Sequence, residues 1–459
     1  MPCRGRPGPD LIIGYLNGPS NYSSDGGYEA LAIGFETCNV GTVWADFFGS
    51  TNRHPVEGNN LYRYRVTNGV GRFEHVGMSW LRHEFSALSR DICCTCQPTD
   101  GTHLGVGCSD PNTSDSFGVQ TSLSPRWQIN AHSGAFPYPP ANPPWSGSTA
   151  RRLRVAISDL QVADNTNGGT IRYYSEAFCV AADDAAADNA NNNASHKPIN
   201  VSGSGSTWSF SFNGATETQR AAIYAWQDID PEVREVEFDV PEVGPRSARM
   251  VLANKVTPLA GGLYDYEYAL YNQNSDRSAN WFSVPVAPCV AITSHGFHDV
   301  DYHGGDGPGD VNFDGTDWPF AHFAGRATWN GPERANATGN ALRWATLYNF
   351  RFVCDAPPTD GLVSVRLFKP GDAGDADFVA GDAAVPADAA DRRGDANCDG
   401  AIDSFDIDAF VLALAGGEAA WATQYACGYD CACDVNRDGV VSNFDIEPFV
   451  ECLLAGNCP

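Results

Sequence analysis

Two twelve-residue segments near the C-terminal end of the chain, residues 395–406 and 434–445, repeat one another at an offset of 39 residues. Each begins with the pattern D-x-N-x-D-G. Each is followed by apolar residues at i, i+3, i+4 and i+7, a spacing that predicts a helix with one apolar face. The duplication therefore predicts two similar loop–helix units within residues 394–459.

Oxygen-bearing side chains recur at alternate positions of both loops, and Gly400 and Gly439 occupy the place where such a loop turns sharply. Calcium takes six to eight hard oxygen ligands. From residue 371 to the end the chain has 18 acidic and 3 basic residues, typical of either a disordered acidic tail or a cation site. The regular spacing favours two Ca²⁺ sites. Their predicted ligands are Asp395, Asn397, Asp399, the Ala401 carbonyl, Asp403 and Asp406 in the first loop, and Asp434, Asn436, Asp438, the Val440 carbonyl, Ser442 and Asp445 in the second.

The twelfth place of each loop holds Asp, one helix follows each loop, and the unit is duplicated. In these features residues 394–459 resemble the type I dockerin family. The resemblance implies a small helical module that folds around two Ca²⁺ ions and docks onto a cohesin-type β-sandwich. It places partner recognition on the tenth and eleventh loop places, which here are Ser404, Phe405, Asn443 and Phe444.

The following helices offer Val411 and Val450, where dockerins often carry basic residues. This departure leaves three occupants of the docking face open: a cohesin-like protein, a more apolar protein partner, and the chain's own body.

Short strand-like runs, rich in Val, Ile, Tyr, Phe and Thr and bounded by Gly, Pro, Asn or Asp, fill residues 11–369. The run LYDYEYALY alternates as a half-buried antiparallel strand does. We therefore predict a mainly β protein, with one large or two smaller β-sandwich domains followed by the small helical module. The expected divisions are residues 10–147, a second β region at 148–370, a flexible Ala/Asp/Gly linker at 371–393, and the module at 394–459. The Asn/Ala-rich stretch at 182–195 is expected to be a mobile insert.

The chain has 15 cysteines, a count that favours extracellular disulfides over a reduced cytosol. Six of them lie in the module and are expected to cross-link it, and Cys3 is the predicted unpaired thiol. No signal peptide is visible after Met1, and no apolar run is long enough to span a membrane. A formal charge of −27 argues against a nucleic-acid partner. We expect a secreted, extracellular protein.

The stretch Ser294–Gly307 is the best candidate for chemistry in the body. If it is extended, Asp299, Asp301 and His303 share one face and His298 lies on the other. Such a set suits a divalent metal or acid–base work. A turn-rich loop with satisfied polar groups is the favoured interpretation, because no complementary acid pair stands out elsewhere. Next to it, Asp310, Asn312 and Asp314 repeat the loop pattern, which predicts a weaker third Ca²⁺ site.

The phrases NLYRYRVTNGVGRFEHVGMSW, FHDVDYHGG and LYNFRF resemble uncharacterised secreted proteins of environmental bacteria, a resemblance that brings no activity with it. Two functions follow from these patterns. The first is a calcium-binding protein whose module tethers the body to a protein partner or an extracellular assembly, with the body contacting carbohydrate. The alternative is a polysaccharide-degrading glycoside hydrolase that carries a dockerin, because dockerins accompany such enzymes.

Overall fold

The computed structural model describes residues 5–164, 168–244, 246–287, 289–387, 393–425, 427–456 and 458. Strands make up 41% and helices 14% of the chain, which confirms the mainly β prediction. Two β-rich units, residues 11–212 and 234–386, form the body, and the helical module follows them. Within the described residues no helix is both long and apolar enough to cross a membrane.

The first unit is built on one large antiparallel sheet, in the order β1-β2-β10-β5-β4-β11-β12-β13. The sheet curls over its own core, since the two ends of this path, β1 and β13, contact each other. Two short helices, α1 (Ser114–Gly118) and α2 (Ala182–Ala186), lie at its edges. Its strands are β1 (Leu11–Asp25), β2 (Tyr28–Asn39), β3 (Ala45–Asp46), β4 (Val56–Thr67), β5 (Val70–Met78), β6 (Leu81–His83), β7 (His103–Leu104), β8 (Ser109–Asn112), β9 (Leu123–Ser124), β10 (Leu153–Ala156), β11 (Ile171–Val180), β12 (Ala194–Ser204) and β13 (Thr207–Phe212).

This topology differs from the predicted domain boundary at residue 147. Strands β10–β13 follow the Pro-rich stretch in sequence but hydrogen-bond into the same sheet as β1–β5. The sheets change instead between Phe212 and Arg234, where α3 (Ala225–Ile229) lies. The predicted mobile insert at 182–195 is also ordered, because Asp184, Asn192 and Asn193 are buried. Asp184 accepts a hydrogen bond from the Leu11 N–H at the start of β1. Asn192 and Asn193 donate hydrogen bonds to the carboxylates of Asp10 and Asp184.

The second unit consists of two five-stranded antiparallel sheets, β14-β15-β16-β21-β18 and β19-β20-β17-β22-β23. Inward-facing residues of both sheets form one shared core, the arrangement of a β-sandwich. Its strands are β14 (Arg234–Pro241), β15 (Ser247–Pro258), β16 (Tyr264–Asn272), β17 (Ala279–Pro285), β18 (Ile292–His298), β19 (Phe320–Phe323), β20 (Arg326–Asn330), β21 (Thr346–Cys354), β22 (Pro358–Leu367) and β23 (Phe378–Pro386).

The prediction of a flexible linker at 371–393 is wrong for residues 378–386, which form strand β23. Phe378–Pro386 pairs along β22, and Ala383 and Val385 enter the core of the second unit. Val379, Ala383 and Val385 stand at alternate positions that face this core, which suffices for an edge strand although the composition of the segment resembles that of a linker. Residues 388–392 of the predicted linker lie outside the described residues.

The two units of the body share an extensive buried interface. Strand β16 shows how it forms, because Tyr266, Tyr268 and Leu270 face the core of the second unit while Ala269 and Tyr271 pack against the first. The alternation of this strand was predicted correctly, but both of its faces are buried. The polar face is therefore part of the interface between units and is not in contact with solvent.

The module contains helices α4 (Asp406–Trp421), α5 (Tyr429–Cys433) and α6 (Ile446–Ala455). Disulfides Cys398–Cys427 and Cys452–Cys458 cross-link it internally, and Cys289–Cys431 joins it to the body. The prediction that all six module cysteines cross-link the module is thus only partly right, since Cys433 is a buried thiol. Cys3, the predicted unpaired thiol, lies outside the described residues.

Candidate functional site

The two loops of the module are held at the start of α4 and α6, and the two loop–helix units pack against one another. The rings of Phe410 and Phe449, which occupy equivalent places in the repeat, stack with their centroids 3.9 Å apart. The Trp421 indole donates a hydrogen bond to the Ala396 carbonyl at 3.1 Å, which fixes the first loop against the end of α4. The duplicated sequence therefore gives a duplicated structure around a small shared core.

In the first loop the carboxylates turn inward onto the loop's own backbone. Asp406, at the twelfth place, accepts the N–H groups of Asn397 and Asp403, each at 2.9 Å, one on each oxygen. Asp395 accepts the Gly400 N–H at 3.1 Å, and Asp399 accepts the Ala401 N–H at 2.9 Å. This pattern wraps twelve residues around one small volume lined by oxygen atoms.

The second loop repeats this pattern place by place. Asp445 accepts the N–H groups of Asn436 at 2.9 Å and Ser442 at 2.8 Å. Asp434 accepts the Gly439 N–H at 2.8 Å, and Asp438 accepts the Val440 N–H at 3.0 Å. The two copies of the repeat therefore share one hydrogen-bond pattern as well as one sequence pattern.

Glycine is required at the sixth place of each loop. Gly400 has φ +89° and Gly439 has φ +86°, backbone conformations that residues with a Cβ rarely adopt. No atom lies within 4 Å of a Cβ built at either position, so the constraint is the backbone conformation and not a lack of space.

The carboxylates at the first and twelfth places of each loop, Asp395, Asp406, Asp434 and Asp445, are buried, and in the first loop neighbouring carboxylates repel them. Burial is the main cause that raises the pKa of Asp395, and the charges of Asp406 and Asp399 add to it. Burial likewise raises the pKa of Asp406, with Asp399 and Asp403 adding to the effect. The Oδ1 atom of Asp395 is buried and has no hydrogen-bond partner among the described residues. A cation in the loop would relieve both the repulsion and the unpaired oxygen.

The donor set fits Ca²⁺, because all six places offer oxygen from carboxylates, an amide, a carbonyl or a hydroxyl. In the described part of the chain, however, no three His, Cys, Asp or Glu side chains are grouped closely enough to hold a metal ion. Calcium binding therefore requires the loop carboxylates to converge further than they do in this structure. The predicted ligands lie around the same two loops, and their role as ligands stays a prediction.

The residues predicted to contact a partner lie on the surface of the module. Phe405 and Phe444 are 75% and 72% exposed, although both are large aromatic residues. Ser404 and Asn443 precede them and are also exposed. These two rings are therefore not docked onto the chain's own body in this structure, although such docking was one of the three open alternatives.

The polar residues at 298–303 do not form one face. Strand β18 ends at His298, whose Nε2 lies 3.2 Å from the His75 carbonyl. Both ring nitrogens of His303 contact backbone groups, the Arg151 N–H at 3.1 Å and the Met78 carbonyl at 2.8 Å. Asp301 accepts the Tyr28 hydroxyl at 2.9 Å. These side chains join the two units of the body, as the interpretation of satisfied polar groups expected.

The third loop pattern uses its side chains locally. Asn312 accepts the Gly305 N–H at 2.9 Å, and Asp314 accepts the N–H of Thr316 at 2.9 Å and its hydroxyl at 2.6 Å. Asp310 is exposed and adopts φ +64°. A cation site near Asp310 stays a prediction for which these contacts offer no support.

Sequence reasoning missed a group of buried acids in the first unit. Glu57, Glu84 and Asp110 are all buried. Burial and the charge of Glu84 raise the pKa of Asp110 to about 7 and the pKa of Glu57 well above its usual range. Each lies within or beside an apolar run, which is the only signal that the sequence offers.

Sequence reasoning also missed a polar cavity of about 170 Å³ between the two units, lined by Asn191, Gln219, Tyr224, Glu237, Arg249 and Gln273 among others. Its lining residues come from five separate places in the chain, namely residues 191–194, residues 219–224, Glu237, Arg249 and Gln273, so no local motif marks it.

No protein-family model matches this chain, and no curated protein is significantly similar to it.

Proposed function

We propose that this protein is a secreted calcium-binding protein whose C-terminal module tethers the β-rich body to a protein partner. The observation that carries the proposal is the identical inward arrangement of carboxylates in two loops 39 residues apart. A solvated acidic tail without a fixed structure would not form the same hydrogen-bond pattern in both loops. Secretion is supported by the disulfides, which persist in oxidising compartments.

Calcium in this proposal has a structural role. Bound in each loop, it supplies positive charge that neutralises the carboxylates and so stabilises the start of α4 and α6. The residues of the chain that would hold it are the twelve predicted ligands, from Asp395 to Asp406 and from Asp434 to Asp445. The Gly400 and Gly439 backbones let each loop close over the ion.

The tether is the duplicated apolar surface of the module, formed by Phe405, Ile407 and Val411 and by their counterparts Phe444, Ile446 and Val450. All six side chains are exposed. Helices α4 and α6 contain no Lys or Arg, and Asp408, Glu447 and Glu451 lie beside the apolar residues. A fitting partner is a cohesin-like or other protein with an apolar centre and a basic rim.

The body is the part that the tether presents, and we propose that it contacts carbohydrate. The seven polar side chains that line the cavity between its two units support this role. No contact among the described residues of the body favours a hydrolase specifically, and the glycoside hydrolase alternative stays a prediction.

Calorimetric titration of the full chain with Ca²⁺ tests the metal sites. The wild type should show two binding events, and Asp399→Ala with Asp438→Ala should remove both, because each change deletes one carboxylate at the fifth place of a loop. Asp408→Asn is the matched control, since Asp408 is exposed on α4 outside the loop. Absence of binding by the wild type would sink the calcium proposal.

Binding to a panel of recombinant cohesin domains, measured by surface plasmon resonance, tests the tether. Because the surface is duplicated, Phe405→Ala or Phe444→Ala alone should weaken binding only a few-fold, whereas the double variant should weaken it about 100-fold or more, as loss of a hot spot does. Phe323→Ala, an equally exposed ring on the body, should change nothing. Equal binding by the double variant and the wild type would contradict a tether at this surface.

A further inference from the structure

The polar cavity between the two units of the body has features of a ligand site. It is lined by Asn191 before β12, by Gln219 and Tyr224 in the connection between the units, and by Glu237, Arg249 and Gln273 of the second unit or its edge. Ligand sites occur preferentially at such junctions between structural units. Its volume of about 170 Å³ compares with the apolar cavity of about 150 Å³ that admits benzene in another protein. The cavity is thus large enough for one six-membered ring.

The cavity wall is held in place by contacts among its own residues. Gln273 Nε2 donates to the Asn191 carbonyl at 2.8 Å, and Asn192 Nδ2 donates to Gln219 Oε1 at 3.3 Å. Tyr224 donates its hydroxyl to Glu237, which also pairs with Arg249 at 2.8 Å. A wall fixed in this way loses little conformational entropy when a ligand binds.

Two features of the wall are costly unless they serve a ligand. Gln219 has φ +60°, a left-handed conformation that a non-glycine residue rarely adopts. The Nε–H of Arg249 is buried and has no acceptor among the described residues. Both residues line the cavity, so the strained backbone and the unsatisfied donor occur at the same place.

The charges of the cavity are balanced, which argues against a simple anion or cation site. Glu237 neutralises Arg249, and Arg220, also in the wall, pairs with Asp228 at 2.7 Å. What remains is a mixture of amide donors and acceptors beside the half-buried ring of Tyr224. This mixture suits a ligand whose hydroxyl groups both donate and accept hydrogen bonds and whose C–H face packs on an aromatic ring.

We propose that this cavity binds one pyranose ring of a neutral carbohydrate. The proposal deepens the carbohydrate contact proposed for the body, rests on that contact, and does not depend on calcium in the module. Gln219, Arg249 and Gln273 bind the hydroxyl groups, and Tyr224 supplies the apolar contact.

The first experiment measures binding of D-glucose, D-galactose, D-mannose, D-xylose and N-acetyl-D-glucosamine to the full chain by saturation-transfer NMR and calorimetry, with sulfate as an anionic probe. At least one sugar should bind, and sulfate should not. Binding of sulfate without any sugar, or binding of none of the five sugars, overturns the proposal.

Variants then locate the site. Gln219→Gly removes the amide while keeping a backbone conformation that glycine adopts readily, and Arg249→Lys keeps the charge while removing the Nε–H. Each should weaken sugar binding about tenfold, the loss expected from one or two hydrogen bonds, with an unchanged melting temperature as the check on folding. Arg234→Ala, on the same sheet with an exposed ion pair, is the matched control and should bind like the wild type. Unchanged sugar binding in both cavity variants overturns the assignment.

Sedimentation with insoluble cellulose and chitin separates this proposal from the broader one. If the wild type and Gln219→Gly sediment equally well, the body contacts carbohydrate elsewhere and the cavity proposal falls alone. If only the wild type sediments, the cavity is the contact. If neither sediments and no soluble sugar binds, the carbohydrate role of the body falls together with the cavity, while the calcium titration still decides the role of the module.

Discussion

The body and the C-terminal module both bury carboxylates, and the two regions differ in what surrounds each one. In the body, Glu176 accepts hydrogen bonds from Asn60, Tyr62 and Tyr271 and from the Ala222 N–H, at 2.7–3.3 Å. These donors come from both units, so the carboxylate helps to join them. In the module, by contrast, the donors to Asp406 among the described residues are backbone N–H groups of its own loop, and its neighbours include other loop carboxylates.

The two regions differ in where the positive charge that balances a carboxylate comes from. Arg72 pairs with Glu267 between the units of the body, and Arg63 pairs with Glu74 at 2.8 Å within the first unit. No Lys or Arg occurs in either module loop apart from Arg437. These two carboxylates of the body thus have an arginine of the body as their partner, whereas in the proposed function the module takes its compensating charge from a cation in solution.

The largest effect should come from removing calcium, because the comparison predicts that only the module depends on it. Each site contributes about 2.7 kcal/mol to the free energy of unfolding when free Ca²⁺ exceeds the dissociation constant about 100-fold. In excess EGTA, α4 and α6 should loosen while the sheets of the body persist. Limited proteolysis with mass-spectrometric mapping should then show new cleavage sites only after residue 393.

The disulfide Cys289–Cys431 keeps the loosened module attached to the body, so non-reducing gels must be compared with reducing ones. Addition of excess Ca²⁺ should restore the protection, and Mg²⁺ at the same concentration serves as the ionic-strength control. Full protease resistance of residues 394–459 in EGTA would mean that the module, like the body, neutralises its own carboxylates.

An effect of intermediate size is expected in the Ca²⁺ affinities of the two loops, which should differ. The ninth place is Asp403 in the first loop and Ser442 in the second, and each side chain accepts the N–H two residues later, Phe405 at 2.8 Å and Phe444 at 3.2 Å. The first loop therefore has one more carboxylate in the same geometry. Because ligand charge tunes Ca²⁺ affinity, the first loop should bind more tightly.

Reciprocal substitution tests this difference. Ser442→Asp should tighten binding at the second loop, and Asp403→Ser should weaken it at the first, each about tenfold by calorimetry. Ser404→Asp is the matched control, because it adds the same charge at the exposed tenth place. If Ser404→Asp acts as strongly as Ser442→Asp, the effect is one of general charge, and the ninth place is not a ligand.

The sequence predicted the parts of this molecule that depend on local pattern. The loop glycines, Gly400 and Gly439, and the helices that follow them lie where the repeat placed them, because a duplicated unit is self-consistent over a dozen residues. Strand β16 was likewise recognised by its alternation. These features need no knowledge of what packs against them.

The sequence did not predict the features that depend on contacts between distant segments of the chain. The alternation of β16 cannot show that Glu267, on its polar face, is buried against the first unit with a pKa raised to about 8, mainly by burial. The Asn-rich stretch at 182–195 has the composition of a mobile insert, yet Asn192 and Asn193 satisfy buried carboxylates. The cavity at Gln219 and Arg249 is assembled from five separate stretches of the chain, so its lining becomes visible only once the two units are packed.

The smallest effect concerns a place where the body, like the module, buries neighbouring carboxylates, the acids Glu57, Glu84 and Asp110. Burial, then the charge of Glu84, raise the pKa of Asp110 to about 7. The native state therefore binds a proton that the unfolded state, with an ordinary aspartate, has already lost above about pH 4. Stability from this group is present at acidic pH and is lost as the pH rises through 7.

Glu84→Gln removes one source of this repulsion, so the pKa of Asp110 should fall and less stability should be lost between pH 5 and 8. One unit of pKa corresponds to about 1.4 kcal/mol, which sets the scale of the expected difference in the pH dependence of thermal unfolding. Comparison of the variant with the wild type cancels the contribution of every titratable group that the charge of Glu84 does not reach. His54 is not among these groups, because that charge raises its pKa, and a lower pKa of His54 in the variant changes the slope in the same direction. Glu232→Gln, on an exposed carboxylate, is the control. The variant also loses the 2.9 Å pair between Arg82 and Glu84, which lowers stability at every pH but leaves the slope unaffected. An unchanged slope would mean that these acids, unlike those of the module loops, do not interact, and that burial alone holds their protons.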